Sequence, residues 1–248
     1  MLCKRVIPVL TFCDGVLFRT KQFVPDYRYT LNFVDAWSAD EIVVLDVTRP
    51  GQGTRENFDA VVSEFARRCF VPLSAGGGVR TLDDVHRLID IGADKVVVNT
   101  GAIDRPALVG EIARRYGSQC VVGAVDARKT EIGYEAMAAF GTRATGQSAE
   151  AWARRLEEEG VGEIMVQSIE RDGSLLGYDL DLMQRVCASV RVPVLVSGGA
   201  GNWSHFAQAL AAGGADAACT NNIYHFTETS MASAKAFLAA AGVRVRAS

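Results

Sequence analysis

The chain has 248 residues, 49% hydrophobic, 22% charged and 8% aromatic, and 26 Lys+Arg against 29 Asp+Glu give a formal net charge of -3. This is an ordinary globular composition, long enough to bury a substantial core. No polybasic run or basic stripe occurs, so nucleic acid is not an expected partner. A phosphorylated small molecule is still permitted, because backbone N–H groups can build a local anion site whatever the average charge. The cysteines Cys3, Cys13, Cys69, Cys120, Cys187 and Cys219 are scattered, with no CxxC pair and no Cys/His cluster at zinc-ligand spacing. They read as free thiols in a reducing cytoplasm, with no metal. Val192 to Ala215 lacks Asp, Glu, Lys and Arg but carries five glycines, Pro193, Asn202, Ser204, His205 and Gln208, so no membrane span is expected. The opening apolar run ends at Cys13-Asp14-Gly15 without a small-residue cleavage pattern, so a signal peptide is not expected.

Short apolar runs recur along the chain: Val6 to Leu10, Ile42 to Val47, Val71 to Leu73, Val96 to Val98, Cys120 to Val125, Ile164 to Val166, Val194 to Val196 and Ala217 to Cys219. They are continuous rather than alternating, as in parallel strands buried on both faces. Amphipathic segments lie between them, including Thr54 to Arg68, Leu82 to Ile91, Pro106 to Tyr116, Ala149 to Gly160 and Asp179 to Ser189. Thr81-Leu82-Asp83-Asp84 reads as a capped helix start with an acidic first turn, and Gly92 as its stop. Eight β-then-α units predict an α/β fold of the (β/α)8 (TIM) barrel type. A doubly wound open sheet is the rival, but Ser74-Ala75-Gly76-Gly77-Gly78-Val79 does not fit GxGxxG.

The chain also repeats itself. Val71-Pro72-Leu73-Ser74-Ala75-Gly76-Gly77-Gly78 with Gly92-Ala93-Asp94 matches Val192-Pro193-Val194-Leu195-Val196-Ser197-Gly198-Gly199 with Gly214-Ala215-Asp216, and Asp40-Glu41-Ile42-Val43-Val44 matches Gly162-Glu163-Ile164-Met165-Val166. Two half-barrels, roughly 1–118 and 119–248, are expected to form one domain, since neither half could cover its own sheet edges.

In such a barrel the site lies at the C-terminal ends of the strands. Gly76-Gly77-Gly78 and Ser197-Gly198-Gly199-Ala200-Gly201 are glycine turns between a strand and a helix. They serve either as tight turns or as cradles that bring backbone N–H groups to an anion. Their recurrence in both halves favours a ligand with a phosphate at each end. Asp126 ends the fifth run and would project into the mouth, where low-dielectric surroundings raise a carboxyl pKa and suit it to general acid/base work. The repeat sets Thr11 opposite it, so this sequence has one carboxylate where a pair would be the obvious apparatus. At the other strand ends stand Arg5, Glu41, Lys95 and Glu163, which are either separately solvated or a paired ring that closes the base.

Several motifs together resemble the cyclase subunit of imidazole glycerol phosphate synthase (HisF). They are the opening Met1 to Pro8, the Asp40-Glu41 to Leu45-Asp46 strand, Gly76-Gly77-Gly78-Val79-Arg80, and Gly92-Ala93-Asp94-Lys95-Val96 with Asn99-Thr100. Gly117-Ser118-Gln119-Cys120, Arg171-Asp172-Gly173 with Gly177-Tyr178-Asp179, and Ser197 to Gly201 complete the set. The resemblance extends through His225-Phe226 and implies a (β/α)8 barrel without cofactor. It also implies a glutaminase (HisH-like) partner at the N-terminal face. Ammonia from that partner would pass through the barrel to a bisphosphorylated aminoimidazole-carboxamide ribonucleotide, yielding imidazole glycerol phosphate for histidine biosynthesis. By resemblance Arg5, Glu41, Lys95 and Glu163 fall on the ammonia gate and Asp126 on a catalytic aspartate. Gly77, Gly78, Asn99 and Thr100 fall on one phosphate site, and Asp172, Gly173, Ser197, Gly198, Gly199, Asn221 and Asn222 on the other. Arg19 stands where the first loop has a substrate-binding lysine.

Thr11, by contrast, stands where the family has its other catalytic aspartate, and a hydroxyl cannot exchange a proton near neutral pH as a carboxylate does. Thr220-Asn221-Asn222 replaces the small residues usual at the eighth strand, and Lys21 to Tyr29 lacks the usual Gly-Asp-Pro. In these respects the chain is similar to HisF-like proteins that are thought to deliver ammonia for amidation of a nucleotide sugar in surface-polysaccharide synthesis. The readings that follow are a cyclase, an amidation subunit and a non-catalytic scaffold that activates a glutaminase.

Overall fold

The structure is a computed structural model that describes residues 3–28, 39–212, 214–221 and 231–246. In chain order its strands are β1 (Arg5–Cys13), β2 (Val16–Lys21), β3 (Val24–Arg28), β4 (Ile42–Asp46), β5 (Leu73–Gly76), β6 (Lys95–Val98), β7 (Val121–Thr130), β8 (Gly133–Ala138), β9 (Arg143–Ser148), β10 (Glu163–Ser168), β11 (Val194–Ser197) and β12 (Ala217–Thr220). Its helices are α1 (Arg55–Arg68), α2 (Leu82–Asp90), α3 (Thr100–Asp104), α4 (Ala107–Tyr116), α5 (Ala149–Glu159), α6 (Leu180–Ser189), α7 (Trp203–Ala207), continued by a π-helical turn over Gln208–Ala212, and α8 (Met231–Ala240). Strands β1, β4, β5, β6, β7, β10, β11 and β12 pair in that order, each parallel to the next, and β12 closes on β1. The chain is therefore a (β/α)8 barrel.

Period-two alternation decides what each strand residue meets. Ile7, Val9, Val43, Val97, Val122, Met165, Leu195 and Cys219 turn inward and fill the barrel. Val6, Leu10, Ile42, Val44, Val96, Val98, Ile164 and Val166 turn outward and pack with helical residues such as Phe58, Val85, Ile112 and Leu156. With both faces buried, successive residues through the middle of the strands are apolar, and the polar ones sit mainly at the strand ends.

The internal repeat has a physical counterpart. Asp94 and Asp216, just before β6 and β12, accept the backbone N–H of Leu73 at 2.8 Å and of Val194 at 3.1 Å, while their own N–H groups donate to the same residues' carbonyls at 2.8 Å. Each Gly-Ala-Asp thus locks the end of one βα unit onto the strand beside it.

The helix starts follow their caps. Thr81 and Asp84 form a reciprocal capping box at α2, Ser148 caps α5 and Asp179 caps α6. The third strand runs over Leu73–Gly76, later than the apolar run Val71 to Leu73 suggests. Its inward positions are Ser74 and Gly76, small because a Cβ on Gly76 would fall 2.6 Å from the Val97 Cβ. Two hairpins that apolar periodicity does not signal, β2–β3 and β8–β9, extend β1 and β7 above the mouth. β1 turns into β2 at Asp14-Gly15 and β2 into β3 at Gln22-Phe23, all four with positive φ, as tight right-twisted hairpins require. Among the described residues no helix is long and apolar enough to cross a membrane.

At the base, Lys235 of α8 donates to Asp40 at 2.7 Å with both side chains 5% exposed, and Asp40 also accepts the N–H of Val6 at 2.9 Å. Lys235→Met, which leaves Asp40 buried and uncompensated, is expected to cost about 3–5 kcal/mol of stability. Chemical denaturation checks this, and Lys235→Arg should lose far less.

Candidate functional site

The charged residues at the base do not stand apart. Arg5 reaches Glu41 at 3.0 Å and Glu163 at 2.7 Å, and Lys95 reaches the same two carboxylates at 2.8 and 2.9 Å. Ser74 donates to Glu41 at 2.7 Å. These residues begin or immediately precede β1, β4, β6 and β10, one layer below the apolar interior. The result is a closed ring of two cations and two anions. Burial alone would lower the Arg5 pKa, but Glu163 and Glu41 outweigh it and raise the value. Above the ring lies only the apolar interior, where burial followed by the Glu41 carboxylate pushes the Cys219 thiol well up and keeps it neutral.

At the opposite end the strands open into a cavity of about 410 Å³. Its floor carries two symmetry-related pairs. Asn99, following β6, donates through Nδ2 to Asp126 of β7 at 2.5 Å. Asn221, following β12, donates through Nδ2 to the Thr11 hydroxyl of β1 at 3.1 Å. Thr11 in turn donates to the carbonyl of Phe18 at 2.5 Å. The hydroxyl is therefore an anchor for Asn221 and for β2, with its proton already spent. On each asparagine Oδ1 is buried and unpartnered.

Asp126 is the group whose chemistry the site tunes most. Burial raises its pKa to about 7, the Asn99 hydrogen bond opposes the rise, and the Asp172 charge adds to it. Asp172 has its own pKa raised by burial, against hydrogen bonds from the Phe23 N–H at 3.0 Å, Thr20 at 3.1 Å and Gln167 at 3.5 Å. It thereby ties the β2–β3 hairpin to the loop after β10. Gln167 continues the inward alternation of β10 beside Asp126.

The glycine turns line the cavity on two sides. Gly77, Gly78, Gly198 and Gly199 all have positive φ. A Cβ on Gly77 would lie 2.2 Å from the Asp46 carbonyl, and one on Gly199 the same distance from the Gly177 carbonyl. Close packing thus demands these glycines by itself. Arg55 of α1 donates to the Gly77 and Gly78 carbonyls at 3.0 and 2.9 Å, so these carbonyls already have a cationic partner.

The cavity brings together Thr11, Gly77, Gly78, Asn99, Thr100, Asp126, Asp172, Gly173, Ser197, Gly198, Gly199 and Asn221. Thr100 spends its hydroxyl oxygen on the Ala139 N–H at 2.9 Å. Arg19 is not among the lining residues, because it lies on β2 and pairs with Asp26 across the hairpin. Asn222 lies outside the described residues. Motif reading misses Thr20, Phe23, Arg49, Phe140 and Gln167, which also line the cavity. The inward alternation of β10 could have found Gln167. The other four depend on hairpins and a loop with no motif.

In comparison with known families, the family model described as "Histidine biosynthesis protein" matches residues 8–230.

Because Asp126 keeps its proton up to about pH 7 when folded but only to about 4 when unfolded, the folded state binds more protons in that window and stability falls as pH rises through it. Asp126→Asn is expected to be more stable than the parent above pH 7, by about 2–4 kcal/mol, and the gap should narrow towards pH 4. Denaturation across that pH range tests the sign.

Proposed function

Since the chain belongs to the histidine biosynthesis protein family, whose members are barrel enzymes of the isomerase/cyclase type, we propose that it is the ammonia-using barrel of a glutamine amidotransferase, similar to HisF. The observation that carries this reading is the vertical order of the barrel. A neutral ring of four charges closes the base, an apolar interior follows, and the protonatable carboxyl of Asp126 stands at the top. Such an interior suits a small neutral molecule and excludes ions, whose burial would cost several kcal/mol. A glutaminase docked at the base would supply ammonia there. The mouth would receive the bisphosphorylated ribonucleotide between the two glycine turns, with the orphan Oδ1 atoms of Asn99 and Asn221 taking donors from it.

In this reading Asp126 does the proton work. With its pKa near 7 it is available both as acid and as base at neutral pH, the condition in which general acid/base catalysis is most effective. Asn99 holds the carboxylate in place. Asp172, whose oxygens are occupied by Thr20, Phe23 and Gln167, holds the hairpin against the mouth and keeps water from the floor.

Thr11 favours a second reading. Its hydroxyl is bound on both sides, and position 11 itself carries no carboxylate to face Asp126. A barrel of this kind would pass ammonia on to a separate enzyme that amidates a sugar nucleotide.

The two separate in one assay series with ammonium salt and the bisphosphorylated ribonucleotide. The cyclase reading expects imidazole product, a loss of about 10²- to 10⁴-fold in Asp126→Asn, and a gain in Thr11→Asp. If the parent and Thr11→Asp are both silent, cyclization is excluded, and binding of a glutaminase to the basal face becomes the surviving test of ammonia transfer.

A further inference from the structure

A mouth that takes a phosphorylated ligand needs a cation, and the loop position expected to supply it does not. Arg19 is paired with Asp26 and lies outside the cavity lining. Among the described residues two arginines line the cavity, Arg49 and Arg80. The Arg80 side chain is 65% exposed, with Asp104 at 3.8 Å.

Arg49 is held differently. It sits half-buried in the loop after β4, and its guanidinium lies 5.3 Å from the centroid of the Phe140 ring. It donates to the carbonyl of Phe23 at 3.3 Å. Among the described residues it makes no ion pair, although Asp46, Asp126 and Asp172 share the cavity. An aromatic face and one carbonyl leave most of its N–H donors unspent. The loop that carries Arg49 also forms the wall behind one glycine turn, where the Asp46 carbonyl fills the space of a Gly77 side chain. Phe23 belongs to the β2–β3 hairpin and Phe140 to the β8–β9 turn. Arg49 therefore stands where both hairpins meet over the mouth.

We propose that Arg49 is the anion-recognition residue of this mouth, gripping a phosphate monoester of the ligand while Phe140 holds the guanidinium plane and the Gly77-Gly78 turn supplies backbone N–H groups. The proposal rests on the reading of the mouth as a phosphorylated-ligand site and assigns its countercharge. A planar guanidinium on an aromatic face keeps a fixed fork of parallel donors, which matches two phosphate oxygens in a way an ammonium cannot. It also explains why, among the described residues, this half-buried cation makes no ion pair although three carboxylates share its cavity: a permanent partner would occupy the fork.

The test is a titration with inorganic phosphate of the full chain, followed through the amide resonances of Gly77, Gly78, Gly198 and Gly199. The parent protein is expected to saturate. Arg49→Met should weaken the response at Gly77 and Gly78 at least tenfold, with the thermal midpoint kept within a few degrees, and Arg49→Lys should fall between. Parent-like affinity in Arg49→Met overturns the assignment and leaves the phosphate reading standing. No movement of the glycine amides in the parent overturns both. If Arg49→Met does not fold, Arg49→Lys decides: full affinity there means that charge alone suffices and the guanidinium grip is wrong.

Discussion

Closure of the parallel sheet is the constraint from which the rest follows. Once β12 pairs with β1, each inward position is fixed in height as well as direction, and residues distant in sequence are brought to one level. Arg5, Glu41, Lys95 and Glu163 meet because their strands start at matched registers. No local preference of any one of them would assemble a ring. The same closure puts Thr11, Asn99, Asp126, Gln167 and Asn221 around one floor. An open sheet with identical strands would leave these groups spread along a surface.

The two ends of the barrel handle buried charge in opposite ways. In the basal ring each charge has partners of the opposite sign, which offsets the desolvation that would otherwise force neutralisation. At the mouth Asp126 is buried with an amide donor but, among the described residues, no ion-pair cation, and the Asp172 charge lies nearby, so its proton is held to about pH 7. A fold selected only for stability would not bury an acid without an ion-pair partner. The base is built to hold charges still, and the mouth to let one of them change.

Much of this was legible before the structure. Continuous apolar runs and the doubled Gly-Ala-Asp and glycine-turn segments led to the barrel, and position after a strand led to Asp126 and the glycine turns. The base ring was legible only as four charges at strand starts, since sequence cannot say whether such charges meet or point into solvent. The hairpins carried weaker signals. Asp14-Gly15 marks a tight turn, but β8 and β9 have small and polar residues, and β9 is largely exposed. What hung on those hairpins was hidden with them: the Phe23 N–H on Asp172, the Phe140 ring under Arg49, and the withdrawal of Arg19 to Asp26. A resemblance places a cation on the first loop, but only the hairpin's own pairing decides where its guanidinium goes.

Thr11 illustrates how a departure from a family pattern changes meaning in three dimensions. In one dimension it is an absence, an acid replaced by a hydroxyl. In the barrel it is one half of a pseudo-twofold arrangement, in which an asparagine after the last strand of each half donates to the strand that follows round the sheet: Asn99 to Asp126, Asn221 to Thr11. Thr11 and Asn221 depart from the family pattern together and contact each other. A carboxylate at position 11 would still accept from Asn221, but it could not donate to the Phe18 carbonyl unless protonated, and an ionised oxygen 2.5 Å from a carbonyl would be repelled. The threonine is thus fitted to the β1–β2 pairing that carries the hairpin over the mouth. Two demands compete at this position, proton transfer and hairpin anchoring, and here the anchor has taken it.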